Sequence, residues 1–179
     1  MQMICHGFST GGLFVLVGML QEKTGTRDME SFGGLWKSMP RAGGAAMFLA
    51  MASLGLPGMG NFIGEFLVLI GSFSANVTLT VLAAVGLVPA AIYSLWLIQK
   101  TFHGKPEMGN NITDIGSRHV IVFASMIIIL IWLGLFPQKV LETSRPTMRA
   151  VNSDINSKRS SLILEADDES RSVQLNRDD

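Results

Sequence analysis

Long apolar runs alternate with short charged loops from residue 1 to residue 136, and then the pattern changes. Residues 1–21 carry no charge. Between Arg41 and Lys100 the only charged residue is Glu65. Residues 119–138 include the run IVFASMIIILIWLGLF. A bilayer core of about 30 Å needs about 20 apolar residues as a helix. The stretch 42–99 is therefore too long for one span and fits two, divided at Ser74-Ala75-Asn76-Val77. The predicted spans lie near 1–20, 42–73, 78–99 and 119–137. Only helices and closed barrels satisfy their backbone in lipid. Barrel strands alternate polar and apolar residues, and these runs do not. The pattern thus predicts an all-α membrane protein with about four transmembrane helices over residues 1–140. Residues 141–179 mix both charge signs and show no sustained helical period beyond Leu162–Leu164, so they read as a polar surface tail, partly disordered.

Composition sharpens this picture through its distribution. The chain is 48% hydrophobic and 16% charged, against about 25% charged in an ordinary soluble domain. Residues 137–179 hold 15 of the 28 charges. Residues 1–136 are too poor in charge to clothe a soluble fold, which excludes a soluble globular domain. The net charge of zero is a sum over two unlike parts. The single cysteine, Cys5, excludes an intramolecular disulfide and any multi-cysteine iron–sulfur site. No run of like charge points to nucleic acid. The first span has no basic leader and no small-residue cleavage site, so it is not a signal peptide. It begins at Met1 without polar flanking residues, which reads as a chain starting inside a helix, that is, a fragment.

Lysine and arginine set the orientation. Lys23, Arg27, Lys37 and Arg41 fall in the 21–41 loop, and Lys100, Lys105 and Arg118 in the 100–118 loop. The other side has Lys139, Arg145 and Arg149 near the membrane. That balance places both loops in the cytoplasm and the C-terminus outside. Trp36, Trp96 and Trp132 fall near span ends, as interfacial anchors do.

Three features carry candidate chemistry. A carboxylate within the membrane costs several kcal/mol unless it is neutral, paired or hydrated, so Glu65 reads as a group that loads and releases a proton; a glutamate hydrogen-bonded for packing alone is the plainer alternative. Its span is also too long. Residues 42–73 as one straight helix would measure about 48 Å at 1.5 Å per residue. Gly55, Pro57, Gly58 and Gly60 offer a break, because Pro57 has no N–H to give the Ser53 carbonyl and glycine permits non-helical angles. Half-helices broken inside the membrane line ion sites in transporters, although a plain proline kink also fits. His6 is the third candidate, since histidine exchanges protons near neutral pH. Ser9 and Thr10 lie on its face, and a hydrogen-bonded packing histidine is the alternative.

Weaker signals are read structurally. Gly7-x-x-x-Gly11 and Gly60-x-x-x-Gly64 are helix-packing faces. Pro89 is a kink, His103 and His119 are interfacial, and the sequons at Asn76 and Asn111 are chance matches. The eleven methionines form no metal-ligand pattern.

Several segments together resemble subunit M of bacterial NADH-quinone oxidoreductase (complex I). They are His6-Gly7-Phe8-Ser9, Gly12-Leu13-Phe14, Glu22 with Thr26-Arg27-Asp28-Met29, Gly33-Gly34-Leu35-Trp36, Leu54 through Phe66, Gly71-Ser72-Phe73, Tyr93-Ser94-Leu95 and Gly134-Leu135-Phe136-Pro137-Gln138. The resemblance runs over residues 1–140 and implies the C-terminal part of an antiporter-like proton-translocating subunit. It implies that 42–73 is the broken helix, that Glu65 is an acidic group near the outer proton exit, and that His6 belongs to a polar axis. It implies a multi-pass protein of the bacterial inner membrane, bound to other membrane-arm subunits and coupling NADH oxidation by quinone to proton pumping. FMN and iron–sulfur clusters are expected on other subunits and no cofactor on this chain. A subunit of a multisubunit Na+/H+ antiporter or of a membrane-bound hydrogenase remains open. Those relatives tend to carry lysine at the matching position, so Glu65 favours subunit M. An inactive scaffold fragment is the third reading.

Overall fold

A computed structural model describes residues 1–104 and 112–175. Among these residues the chain is all helical. Helix α1 covers Gln2–Thr24 and is followed by a 3-10 turn at Met29–Ser31 and a short α2 at Leu35–Ser38. Then come α3 (Pro40–Ser53), α4 (Gly60–Ala75), α5 (Val77–Phe102), α6 (Ser117–Leu135) and α7 (Gln138–Leu175). Three of these, α1, α5 and α6, are long and apolar enough to cross a membrane. Lys105 and the Asn111 sequon lie outside the described residues.

The predicted over-long span resolves into two half-helices. Helix α3 has 14 residues and α4 has 16, about 21 and 24 Å at 1.5 Å per residue. Neither alone crosses a core of about 30 Å. Sequence explains where each half stops. Gly55 takes φ 66°, and its N–H donates to the Ala52 carbonyl at 3.2 Å while the Leu56 N–H donates to Met51 at 3.3 Å. This pair of bonds around a left-handed residue is the Schellman ending, which satisfies carbonyls that a helix terminus otherwise leaves open. Pro57 comes after the last residue of α3, Ser53, and so lies past the helix rather than inside it. Gly58, at φ 95°, turns the chain into α4.

Helix α3 is central, with contacts to α1, α2, α4, α5 and α6. Its buried positions are mostly small: Ala42, Gly43, Ala45, Ala46, Ala50 and Ala52. In lipid, helices associate through close packing rather than hydrophobic burial, and small residues let backbones approach. Leu49 is wholly buried in this seam and fills the space beside Gly12 of α1. On α1 the buried stripe is Cys5, Ser9, Gly12, Leu16 and Met19, the spacing of one helix face.

The two charged loops meet at one end of this helical unit. The Gly34 N–H donates to the His103 carbonyl at 3.1 Å, and the Trp36 and His103 rings stack with centroids 5.4 Å apart. Asp114 accepts from the N–H groups of Arg41 and Ala42 at 2.9 and 3.3 Å. A carboxylate there caps open donors and sits favourably at the positive end of the α3 dipole. Pro40, first in the helix, has no donor to satisfy. At the other end the divider is sharp. Asn76 accepts from the Leu79 N–H at 3.0 Å and caps α5, which explains the asparagine of the first sequon by helix chemistry.

Two readings are corrected. The Gly7-x-x-x-Gly11 face meets nothing within 4 Å among the described residues; Gly12 is the glycine that packs, because the buried stripe of α1 runs through 5, 9, 12 and 16. The tail also differs from its predicted irregularity. The described residues after 137 form one helix, α7, a separate unit that is exposed from Thr147 to Ile163 and carries one surface ion pair, Lys158 to Asp154 at 3.2 Å. Such i,i+4 pairs and serine back-bonds support a helix that lacks an apolar period strong enough to betray it.

Candidate functional site at the helix break

Polar side chains of α1, α3 and α4 gather at the break between α3 and α4. Glu65 stands in the second turn of α4. Its Oε1 accepts from the Gln2 amide, Nε2, of α1 at 3.1 Å. Its other oxygen, Oε2, lies against Gly55, and a methyl group there would strike it. The glycine that ends α3 thus also leaves room for the carboxylate. Gly64, the neighbour of Glu65, has no room for a methyl group either, because Gln2 lies over it. Gly60 faces Cys5 and Leu133. The Gly60-x-x-x-Gly64 face is therefore a contact face, as the sequence predicted, and it seats α1 and α6 against the start of α4.

One turn before Glu65, Asn61 is 1% exposed. Its Nδ2 donates to the Ala52 carbonyl at 2.7 Å and to Ser9 Oγ at 3.1 Å. Ser9 in turn donates to the His6 carbonyl at 3.2 Å. One amide thus ties α4 to the end of α3 and to α1. Three buried side-chain atoms at this junction have no hydrogen-bond partner among the described residues: Gln2 Oε1, Ser53 Oγ and Asn61 Oδ1. A buried polar atom without a partner costs about 1–3 kcal/mol, so these three atoms are places where a further hydrogen bond would stabilise the junction.

The predicted site residues divide into two groups. Glu65, Gly55, Pro57, Gly58 and Gly60 come together at the break. His6 lies on α1 one turn beyond Gln2 and is exposed, with Thr10 Oγ1 3.3 Å from each of its ring nitrogens. No hydrogen bond joins His6 to Glu65 among the described residues. The polar stripe read from sequence is split: Thr10 faces the imidazole, while Ser9 faces Asn61. Sequence reading missed Gln2 and Asn61. Both stand one helical turn before a residue it did select, His6 and Glu65, and a polar residue at that spacing shares the helix face. Among the described residues, no three His, Cys, Asp or Glu side chains gather as metal ligands do.

The described residues thus form an all-α membrane unit in which a carboxylate sits where α3 gives way to α4. Residues 1–91 match the family model described as NADH:quinone oxidoreductase/Mrp antiporter, transmembrane. The chain is 42% identical over 161 residues to the NADH-quinone oxidoreductase subunit M of Pseudomonas aeruginosa, covering 90% of this chain and 32% of that one. It is 40% identical over 146 residues to subunit M of Escherichia coli K12, covering 80% and 29%. Among solved structures, it is similar to a chain of respiratory complex I from Thermus thermophilus with bound NADH, with a TM-score of 0.69 and 36% identity over 73% of this chain and 28% of that one. This chain belongs to the NADH:quinone oxidoreductase/Mrp antiporter membrane family. It spans about a third of the length of the curated relatives it matches.

Proposed function

We propose that this chain serves in the proton-translocating membrane arm of an NADH-quinone oxidoreductase, with Glu65 as a proton-exchanging group and His6 as a relay group. The observation that carries the reading is the setting of Glu65. It is the one charged residue between Arg41 and Lys100, and it sits on the break, between the Gln2 amide and Gly55. A carboxyl so placed can hold a proton when neutral and keep a hydrogen bond when charged. The orphaned oxygens beside it have the polarity to hold water. The likeness to proteins named subunit M supports this reading over a sodium/proton antiporter subunit.

The partners are the lipid bilayer and the other membrane-arm subunits. Protons are the cargo, and quinone and NADH react elsewhere, on subunits that carry the FMN and iron–sulfur clusters. The membrane is the bacterial inner membrane. The lysine and arginine balance puts the loops at 21–41 and 100–118 in the cytoplasm and the C-terminus outside.

The test is Glu65→Gln in the subunit within the assembled complex. NADH-driven proton pumping and coupled quinone reduction fall at least several-fold, with assembly intact. Full pumping in a normally assembled complex overturns the reading. For His6, replacement by Ala with full activity returns that residue to a packing role.

A further inference from the structure

We propose that Gln2 is the positioning residue of Glu65, and that its amide serves both protonation states of the carboxyl by turning over. The inference rests on Glu65 as a proton-exchanging group. It goes further by assigning a role to a side chain on another helix, 63 positions away.

The geometry begins with the bond itself. Gln2 Nε2 donates to Glu65 Oε1 at 3.1 Å, the arrangement that suits a charged carboxylate, which only accepts. Gln2 Oε1 is buried with no hydrogen-bond partner among the described residues. An amide thus presents a satisfied donor to the carboxylate and keeps an unused acceptor on the same terminal group. When Glu65 takes a proton, one carboxyl oxygen becomes a donor. A half-turn about the last side-chain bond of Gln2 then brings Oε1 to accept from that O–H. The terminal torsion of glutamine has a broad, two-fold profile, so such a turn needs no change of backbone. The O–H formed on Glu65 is matched by the O–H broken in the hydronium ion that delivers the proton, which leaves as water; no other covalent bond changes.

The surroundings fit this role. Gly64 has no side chain where Gln2 crosses α4, and a methyl group there would press on both its amide and its backbone. Gly55, having no side chain, leaves room for the far carboxyl oxygen beside the break. Among the described residues no ionisable side chain pairs with Glu65. On the helices packed against α4, Cys5 lies against Gly60, His6 against Thr10 and Tyr93 faces outward. Glu22, Lys23, Arg41, Lys100, Arg118 and His119 stand at helix ends, as does the Met1 amino group at the start of α1. Gln2 is left as the one side-chain group, among the described residues, that holds the carboxyl in place.

Infrared difference spectra of the assembled complex, recorded across a pH change, test this. The spectrum contains a glutamine side-chain amide band that moves on 15N-glutamine labelling and is lost in Gln2→Met. The Glu65 carboxyl C=O band, identified by its loss in Glu65→Gln, moves to higher wavenumber in Gln2→Met. Proton pumping by Gln2→Met falls several-fold with normal assembly, and Gln2→His, which can still donate or accept, recovers part of the rate. A difference spectrum with no glutamine band, or a Glu65 band unmoved in Gln2→Met, overturns the inference. If Glu65→Gln abolishes pumping while these bands are absent, the reading of Glu65 survives without it. If Glu65→Gln leaves pumping whole, that reading falls and this inference falls with it.

Discussion

Pro57 and Pro89 sit in apolar stretches of similar character, and only one of them marks a break. Pro89 lies inside α5, which continues unbroken from Val77 to Phe102. Pro57 lies in the segment 54–59 that separates α3 from α4. Each lacks an N–H, so proline by itself does not decide the outcome. The difference lies in the neighbours. Pro57 stands between Gly55 and Gly58, both at positive φ, a region that costs other residues about 1–2 kcal/mol. Gly86, near Pro89, is helical and faces open space. Packing separates the two sites further. The membrane-crossing window of α5 is 6% buried, against 33% for α1. The break is instead bound to α1 through Gln2, Ser9 and Asn61. A membrane helix runs on through a proline where the freed backbone groups find other partners, and becomes two helices when glycines allow the turn and neighbours supply the lost hydrogen bonds.

Substitutions can break or sharpen this contrast. The largest effect is expected from Gly60→Leu, which drives a side chain into Cys5 and Leu133. Overpacking of this kind costs about 1–3 kcal/mol, read as a lower unfolding midpoint in mixed micelles and less assembled complex. Asn61→Ala comes next. It removes the two Asn61 bonds to α1 and α3, leaves the Gln2–Glu65 bond in place, and leaves the Ala52 carbonyl and Ser9 each short of a partner, a loss of about 1–3 kcal/mol by the same measurement. Asn76→Ala removes only the exposed cap of α5, so the midpoint falls by the equivalent of about 1 kcal/mol. Pro57→Ala leaves the two half-helices separate, because Gly55 and Gly58 keep their angles; a continuous helix across 54–59 in its structure would refute the account of the break. Gly86→Leu, with nothing within 4 Å, shifts stability by less than about 0.5 kcal/mol. A large loss there would show that α5 meets protein at that point.

The same contrast explains what could be read early. The spans, their divider at 74–77 and the break at 55–60 were legible because each depends on local chemistry: apolar length, an Asn cap, and glycines beside a proline. Glu65 stood out as a candidate because it is the lone carboxylate between Arg41 and Lys100, and its place beside the break followed from its position six residues after Met59. The glycine faces were only half legible. Gly60 and Gly64 do pack, while Gly7 and Gly11 meet nothing within 4 Å among the described residues, since spacing shows that glycines share a face but not which way the face turns. Helix α7 escaped because its polar surface gives no apolar period and its support is local.

By itself, then, the sequence determined an all-helical membrane protein, the divider between its second and third spans, and that one carboxylate falls beside a broken helix. Tertiary structure decided who holds that carboxylate. Gln2 and Glu65 are 63 positions apart, and Ser9 and Asn61 are 52 apart. No local rule links residues at such distances, because their meeting depends on which helices lie side by side and at what register. That choice is made by small residues, Gly12, Gly60, Gly64 and the alanines of α3, which permit backbones to approach closely enough for short polar side chains to reach across.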